Sequence, residues 1–226
     1  MMLYWVIFGF FLILSVIVSS VLKSKFKKYS KIPTQGFITG REVAEKMLRE
    51  NGIYDVNVVS VRGQLTDHYN PLTRTINLSQ DVYSGNSVAA AAVAAHETGH
   101  ALQHAQSYSM LNIRSKLVPV VSFASRWVQW VLLAGIIMVN SFPQLLLAGI
   151  VLFALTTLFS IITLPVEVNA SSRALQWLQT ARITTDENHR YAKDALQWAA
   201  TTYFIAAISS LATLLYFVLI YMGARD

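Results

Sequence analysis

Cysteine is absent from the 226 residues. That excludes a disulfide framework and any cysteine-held metal, so a transition metal here must take His, carboxylate or water ligands. Charge is scarce as well. Asp, Glu, Lys and Arg make up 13% of the chain, against about 25% in soluble domains, and the deficit excludes an ordinary soluble fold. Histidine and proline each occur five times. Acidic residues are few, leaving a net charge of +6. No nucleic-acid-binding motif accompanies that excess, so it reads as membrane topology. What the chain has in quantity is apolar residues, 54% of the total.

Those residues gather into four runs long enough to span a bilayer, which takes roughly 20 residues. They are Leu3 to Leu22, about Leu117 to Val139, about Leu145 to Leu164 and about Thr202 to Met222. The first has no positive segment before it and no small-residue cleavage site, and its lysines follow it, so it reads as a retained anchor. Lys23, Lys25, Lys27, Lys28 and Lys31 come after the first run; Arg173, Arg182, Arg190 and Lys193 lie between the third and fourth. The turn Asn140–Gln144 carries no charge. The positive-inside rule then puts both basic segments in the cytoplasm, with the termini and the short turn outside. Arg126 falls inside the second run, so that helix enters the bilayer late, near Trp127, or Arg126 snorkels to the interface.

Residues 23–116 are long enough for a small cytoplasmic portion. Thr39 to Asn51 reads as a helix, with Thr39 and Glu42 spaced as a capping box and Gly52 past its end. Asp55–Val61 alternates and is β-branched, which predicts a strand. Thr66–Pro71 is polar and ends in proline, a loop or edge feature. Thr73–Ser79 predicts a second short strand. Asn86 or Ser87 then caps an alanine-rich helix.

That helix carries His96-Glu97-Thr98-Gly99-His100. Residues four apart share a helix face, so both imidazoles can meet one zinc ion, and a Glu next to the first can serve as general base. Three of the five histidines, His96, His100 and His104, fall within nine residues. A hydrolytic zinc takes three protein ligands. Glu167 is the leading third: it directly follows the third apolar run, after a proline able to start a helix, where a carboxylate is costly unless it faces the interface or a partner. As a plain helix-start acid it needs no metal. His104 is the rival, but i, i+4 and i+8 on one helix spread over about 12 Å, far beyond ~2.1 Å metal bonds. Gln103 and Gln106 also stand where the metzincin pattern needs Gly and His. His68 reads as structural or substrate-side, and His189 as a solvated surface residue.

Several segments carry a family resemblance: the N-terminal anchor, Gly63–Pro71, Val93–Gln103, Pro165-Val166-Glu167 with Ala170-Ser171 and Arg173-Ala174-Leu175, and the terminal span. In these the chain resembles the neutral zinc metallopeptidases of the YugP type, bacterial membrane proteins placed with the gluzincin-like peptidases. The resemblance implies zinc-dependent peptidase activity and supports Glu167 as third ligand. The chain departs from the pattern at Asn70 and Asn169, where an acid is common. Ser171 stands where related membrane peptidases carry an aspartate, which leaves Asn169 or Ser171 to accept an imidazole N–H.

The expected fold is a mainly α integral membrane protein, with four transmembrane helices and a cytoplasmic zincin-like α+β portion holding a small sheet and the HExxH helix. Its parts are an anchor at 1–22, the catalytic portion at 23–116, a transmembrane hairpin at 117–164, a segment at 165–201 carrying the third ligand, and a last transmembrane helix at 202–226. The expected function is a multi-pass zinc endopeptidase of the plasma membrane. One Zn²⁺ is held by His96, His100 and Glu167, with Glu97 catalytic, facing the cytoplasm. Its partners are the lipid bilayer and a peptide or membrane-protein substrate, with no nucleic acid. The alternatives are a non-catalytic assembly factor or chaperone with a structural metal site, and an intramembrane protease. The second suits poorly a helix preceded by Gln80, Asp81 and Asn86.

Overall fold

The computed structural model describes residues 2–224; Met1, Arg225 and Asp226, at the outer ends of the first and last expected segments, lie outside the described residues. The chain is mostly helical. In order it forms α1 (Met2–Tyr29), α2 (Gly40–Glu50), β1 (Asn57–Val61), β2 (His68–Asn70), β3 (Thr75–Ser79), α3 (Gln80–Tyr83), α4 (Val88–Ala105), α5 (Ser109–Ile137), α6 (Pro143–Thr180) and α7 (Asp186–Gly223). Four of these, α1, α5, α6 and α7, are long and apolar enough to cross a membrane.

Two compact units divide the chain. One takes in the residues up to Ile17, then Asn112–Pro165, then Thr202 onward. Its small core joins Val128 and Leu132 to Leu146, Ile150, Tyr216 and Phe217. Glycines let its helices close in: a Cβ at Gly135 would lie 2.6 Å from Leu146 Cα. Outside that core many of its large side chains point outward. Trp5, Phe10, Trp127, Trp130 and Leu219 are all exposed, the pattern of helices whose solvent is lipid. Arg126 is exposed too.

The other unit is Val18–Leu111 with Val166–Thr201. Thr39 caps α2 in a full capping box with Glu42, and the helix buries Val43, Ala44, Met47 and Leu48. That face packs in one core with Ala91, Ala92 and Ala95 of α4, whose short side chains allow close helix approach. Ser87 caps α4, accepting from the Ala90 N–H. The sheet has the order β1-β3-β2, with β1 parallel and β2 antiparallel to β3. Ile76 and Leu78 on the central strand are fully buried.

Three local expectations are sharpened or corrected. The loop or edge feature expected at Thr66–Pro71 resolves as an edge strand at His68–Asn70. Its three residues show too little alternation to announce themselves, and pairing with β3 supplies the order. Asp55 and Val56 stay outside β1, and Thr73 and Arg74 outside β3, because parallel pairing begins at Asn57 opposite Thr75. Pro165 does not start a helix: α6 runs through it.

Candidate metal centre

Two helices of the second unit build the site. On α4, one turn sets His96 and His100 side by side, their rings 4.8 Å apart between centroids. On α6, Glu167 is 2% exposed. The glycine inside the motif lets these helices meet. A Cβ on Gly99 would fall 2.7 Å from Ala170 O and 3.2 Å from Ala170 Cα. Ala170 is one turn beyond Glu167, so this close approach sets the depth at which the carboxylate faces the histidines.

Glu167 Oε2 lies 3.3 Å from His96 Nε2 and 3.5 Å from His100 Nε2. One ligand atom from each of the three residues falls within 4.8 Å of the others. Ligands about 2.0–2.1 Å from one tetrahedral centre stand about 3.3–3.4 Å apart, close to the two carboxylate–imidazole separations. Two imidazoles with a carboxylate are also a donor set that zinc accepts.

The tautomer of His100 supports the same fit. Arg173 Nε donates to Asn169 Oδ1 at 2.7 Å, which fixes that amide's oxygen. Gln103 Nε2 donates to Asn169 Oδ1 at 2.9 Å and to Val166 O at 2.8 Å. Gln103 Oε1 is left for His100 Nδ1, 3.0 Å away, and an amide oxygen only accepts. In its neutral form His100 therefore carries its proton on Nδ1, and its bare Nε2 faces a carboxylate. Two acceptors in that position need a cation or a proton between them. Burial works against the charged form of His100, but Glu167 outweighs it and holds the imidazole pKa above its ordinary value. His96 Nδ1 lies 3.1 Å from Ser171 Oγ, so Ser171 rather than Asn169 touches an imidazole.

Glu97 is buried, and its Oε2 accepts the Tyr69 N–H at 3.0 Å. That amide sits on the edge strand β2, so the sheet orients the acid. The other histidines stand apart from the cluster. His104 Nδ1 is 2.8 Å from Tyr69 Oη. His68 is exposed, its Nδ1 2.8 Å from Thr66 O, and His189 Nδ1 is 3.2 Å from Thr184 Oγ1. Sequence reasoning passed over Gln103, Gly99 and Tyr69. The signal for Gln103 was its place three residues after His100, on the same helix face.

A model of the family described as "putative neutral zinc metallopeptidase" matches residues 4–222. The chain belongs to this family. A curated relative, "Putative membrane protease YugP" of Bacillus subtilis (strain 168), is 45% identical over 205 residues, covering 91% of this chain and 90% of the relative. No solved structure matches the chain. For a zinc metallopeptidase family member, a transition-metal site without cysteine is coherent, and His96, His100 and Glu167 are a group able to hold the metal.

Proposed function

We propose that this chain is a membrane-bound zinc endopeptidase with a zincin-like catalytic portion. The carrying observation is the convergence of His96, His100 and Glu167 beside Glu97. In this reading the three residues hold one Zn²⁺. Zinc supplies Lewis-acid chemistry, polarising a peptide carbonyl and making water a nucleophile near neutral pH.

The chain's own residues do the rest. Glu97 takes the proton of the attacking water and passes it to the leaving amine. The Tyr69 N–H fixes the orientation of that carboxylate. Gln103 and Ser171 hold the outer nitrogens of His100 and His96, so that both Nε2 atoms point inward. The edge strand β2 beside Glu97 supports an extended peptide as substrate.

The setting follows from the lysines after α1 and the basic residues between α6 and α7. By the positive-inside rule the site faces the cytoplasm of a plasma-membrane protein, and the substrate is a peptide or a membrane protein presented at that face. The test is hydrolysis of β-casein by the zinc-loaded, detergent-solubilised chain. Cleavage by the wild type and its loss in Glu97→Gln, at equal zinc content, is the expected result. Equal cleavage by both proteins refutes the assignment.

A further inference from the structure

His104, the third histidine of α4, lies outside the group able to hold a metal. Its partner is Tyr69. His104 Nδ1 and Tyr69 Oη are 2.8 Å apart, with the ring centroids at 5.8 Å. The same Tyr69 gives its backbone N–H to Glu97 Oε2 at 3.0 Å. One residue of β2 thus grips α4 at two points. Glu97 and His104 are seven residues apart, so they share a helix face and stand about 10.5 Å apart along the axis.

The strand depends on both points. It is three residues long and lies at the sheet edge. On the sheet side it is held by antiparallel pairing with β3. Asp67, just before it, adds an anchor by accepting from the Ser79 N–H and hydroxyl. On the helix side, the hydrogen bonds between β2 and α4 among the described residues are the two from Tyr69. Held at Glu97 alone, the strand is free to pivot about that bond, and the amide swings with it. The phenol–imidazole bond, two helical turns away, removes the pivot. Both side chains are partly buried, which strengthens the bond against competing water.

The carboxylate at the near end gains from this. A general base must keep its oxygen within hydrogen-bond reach of the proton it removes. A misplacement of about 1 Å can cost about 100-fold in rate.

We propose that His104 is a positioning residue for the general base: it holds the Tyr69 phenol and so keeps the Tyr69 N–H on Glu97. The proposal rests on the peptidase reading for what Glu97 does. It gives the third histidine of α4 a role that needs neither metal nor substrate contact.

Amide exchange tests the link without turnover. Residue-resolved hydrogen–deuterium exchange is measured on the zinc-loaded full chain in detergent. In Tyr69→Phe and in His104→Leu the residue-69 amide is expected to exchange roughly three- to tenfold faster, the range of one ordinary hydrogen bond. The Ile76 and Leu78 amides on β3 should keep their rates. His104→Asn, whose side-chain amide replaces the Nδ1 position, should restore slow exchange. An unchanged rate at residue 69 overturns the proposal. So does equal acceleration at Ile76 and Leu78, which reduces the bond to general support of the unit.

Hydrolysis of β-casein by the same proteins is measured alongside. Each single variant is expected to lose roughly three- to tenfold in kcat, with KM and zinc content unchanged. The double variant should lose no more than either single, because the two side chains act as one link. Losses that multiply overturn the proposal. A fall in kcat with unchanged exchange at residue 69 overturns it too, since the pair then acts on substrate directly. The expected exchange pattern in a wild type that cleaves nothing refutes the peptidase reading and leaves the tie from His104 to the Glu97 carboxylate standing.

Discussion

Gln103 Oε1 accepts the Nδ1–H of His100 at 3.0 Å, and that bond decides which nitrogen of His100 faces Glu167. Gln103 is fully buried and its amide protons are committed to Val166 and Asn169. Gln103→Leu removes the constraint with little change in volume. Zinc affinity, measured by competition with a chelator, is expected to fall roughly 10–100-fold. Ser171→Ala should cost less, because a hydroxyl beside His96 can accept or donate and fixes no tautomer. Unchanged affinity in Gln103→Leu contradicts the assignment.

Gly99→Ala puts a methyl group 2.7 Å from Ala170 O. The neighbour is backbone, so no rotamer change relieves it. The two helices must part, at a cost of about 1–3 kcal/mol, and Glu167 draws away from the histidines. The variant is expected to melt earlier and to bind zinc weakly. Combining it with Ala170→Gly should not rescue it, since the clash is with a carbonyl that glycine also carries.

Acidity should act in opposite directions on the metal-free and zinc-loaded protein. Without metal, Glu167 raises the His100 pKa above its unfolded value. The stabilisation is fully present below about 6.5 and is lost as pH rises through the raised value. With zinc, both imidazoles must be deprotonated, so acid displaces the ion and its stabilisation with it. Melting temperatures taken between about pH 6 and about pH 8, with zinc and with a chelator, are expected to slope oppositely. Parallel slopes contradict the account.

Thr39→Ala serves as a control at a distance from the chemistry. It breaks the capping box of α2 and should lower stability by about 1 kcal/mol. Zinc affinity should not change.

The four apolar helices, the capping box and the histidine pair were legible because each is a local pattern of residues close in sequence. Glu167 was legible as a candidate for a related reason: a carboxylate just past an apolar run must face the interface or a partner, and here it lies beside His96 and His100. β2 was legible only as a loop or edge feature, because three residues declare no period and their order comes from β3. Pro165 misled, since proline is as much a helix starter as a kink, and only the packing on both sides of it decides. Gln103 and Gly99 owe their roles to α6, some seventy residues onward, and nothing near them in sequence reports that neighbour. Tyr69 acts through its backbone N–H, which every residue but proline carries.

The most direct test is zinc per chain, by elemental analysis of purified wild type, Glu97→Gln and Glu167→Gln under identical metal-buffered conditions. About one zinc in the wild type and in Glu97→Gln, with little in Glu167→Gln, is the expected outcome. A full complement in Glu167→Gln, or a loss of zinc in Glu97→Gln, contradicts the division of labour between ligand and base.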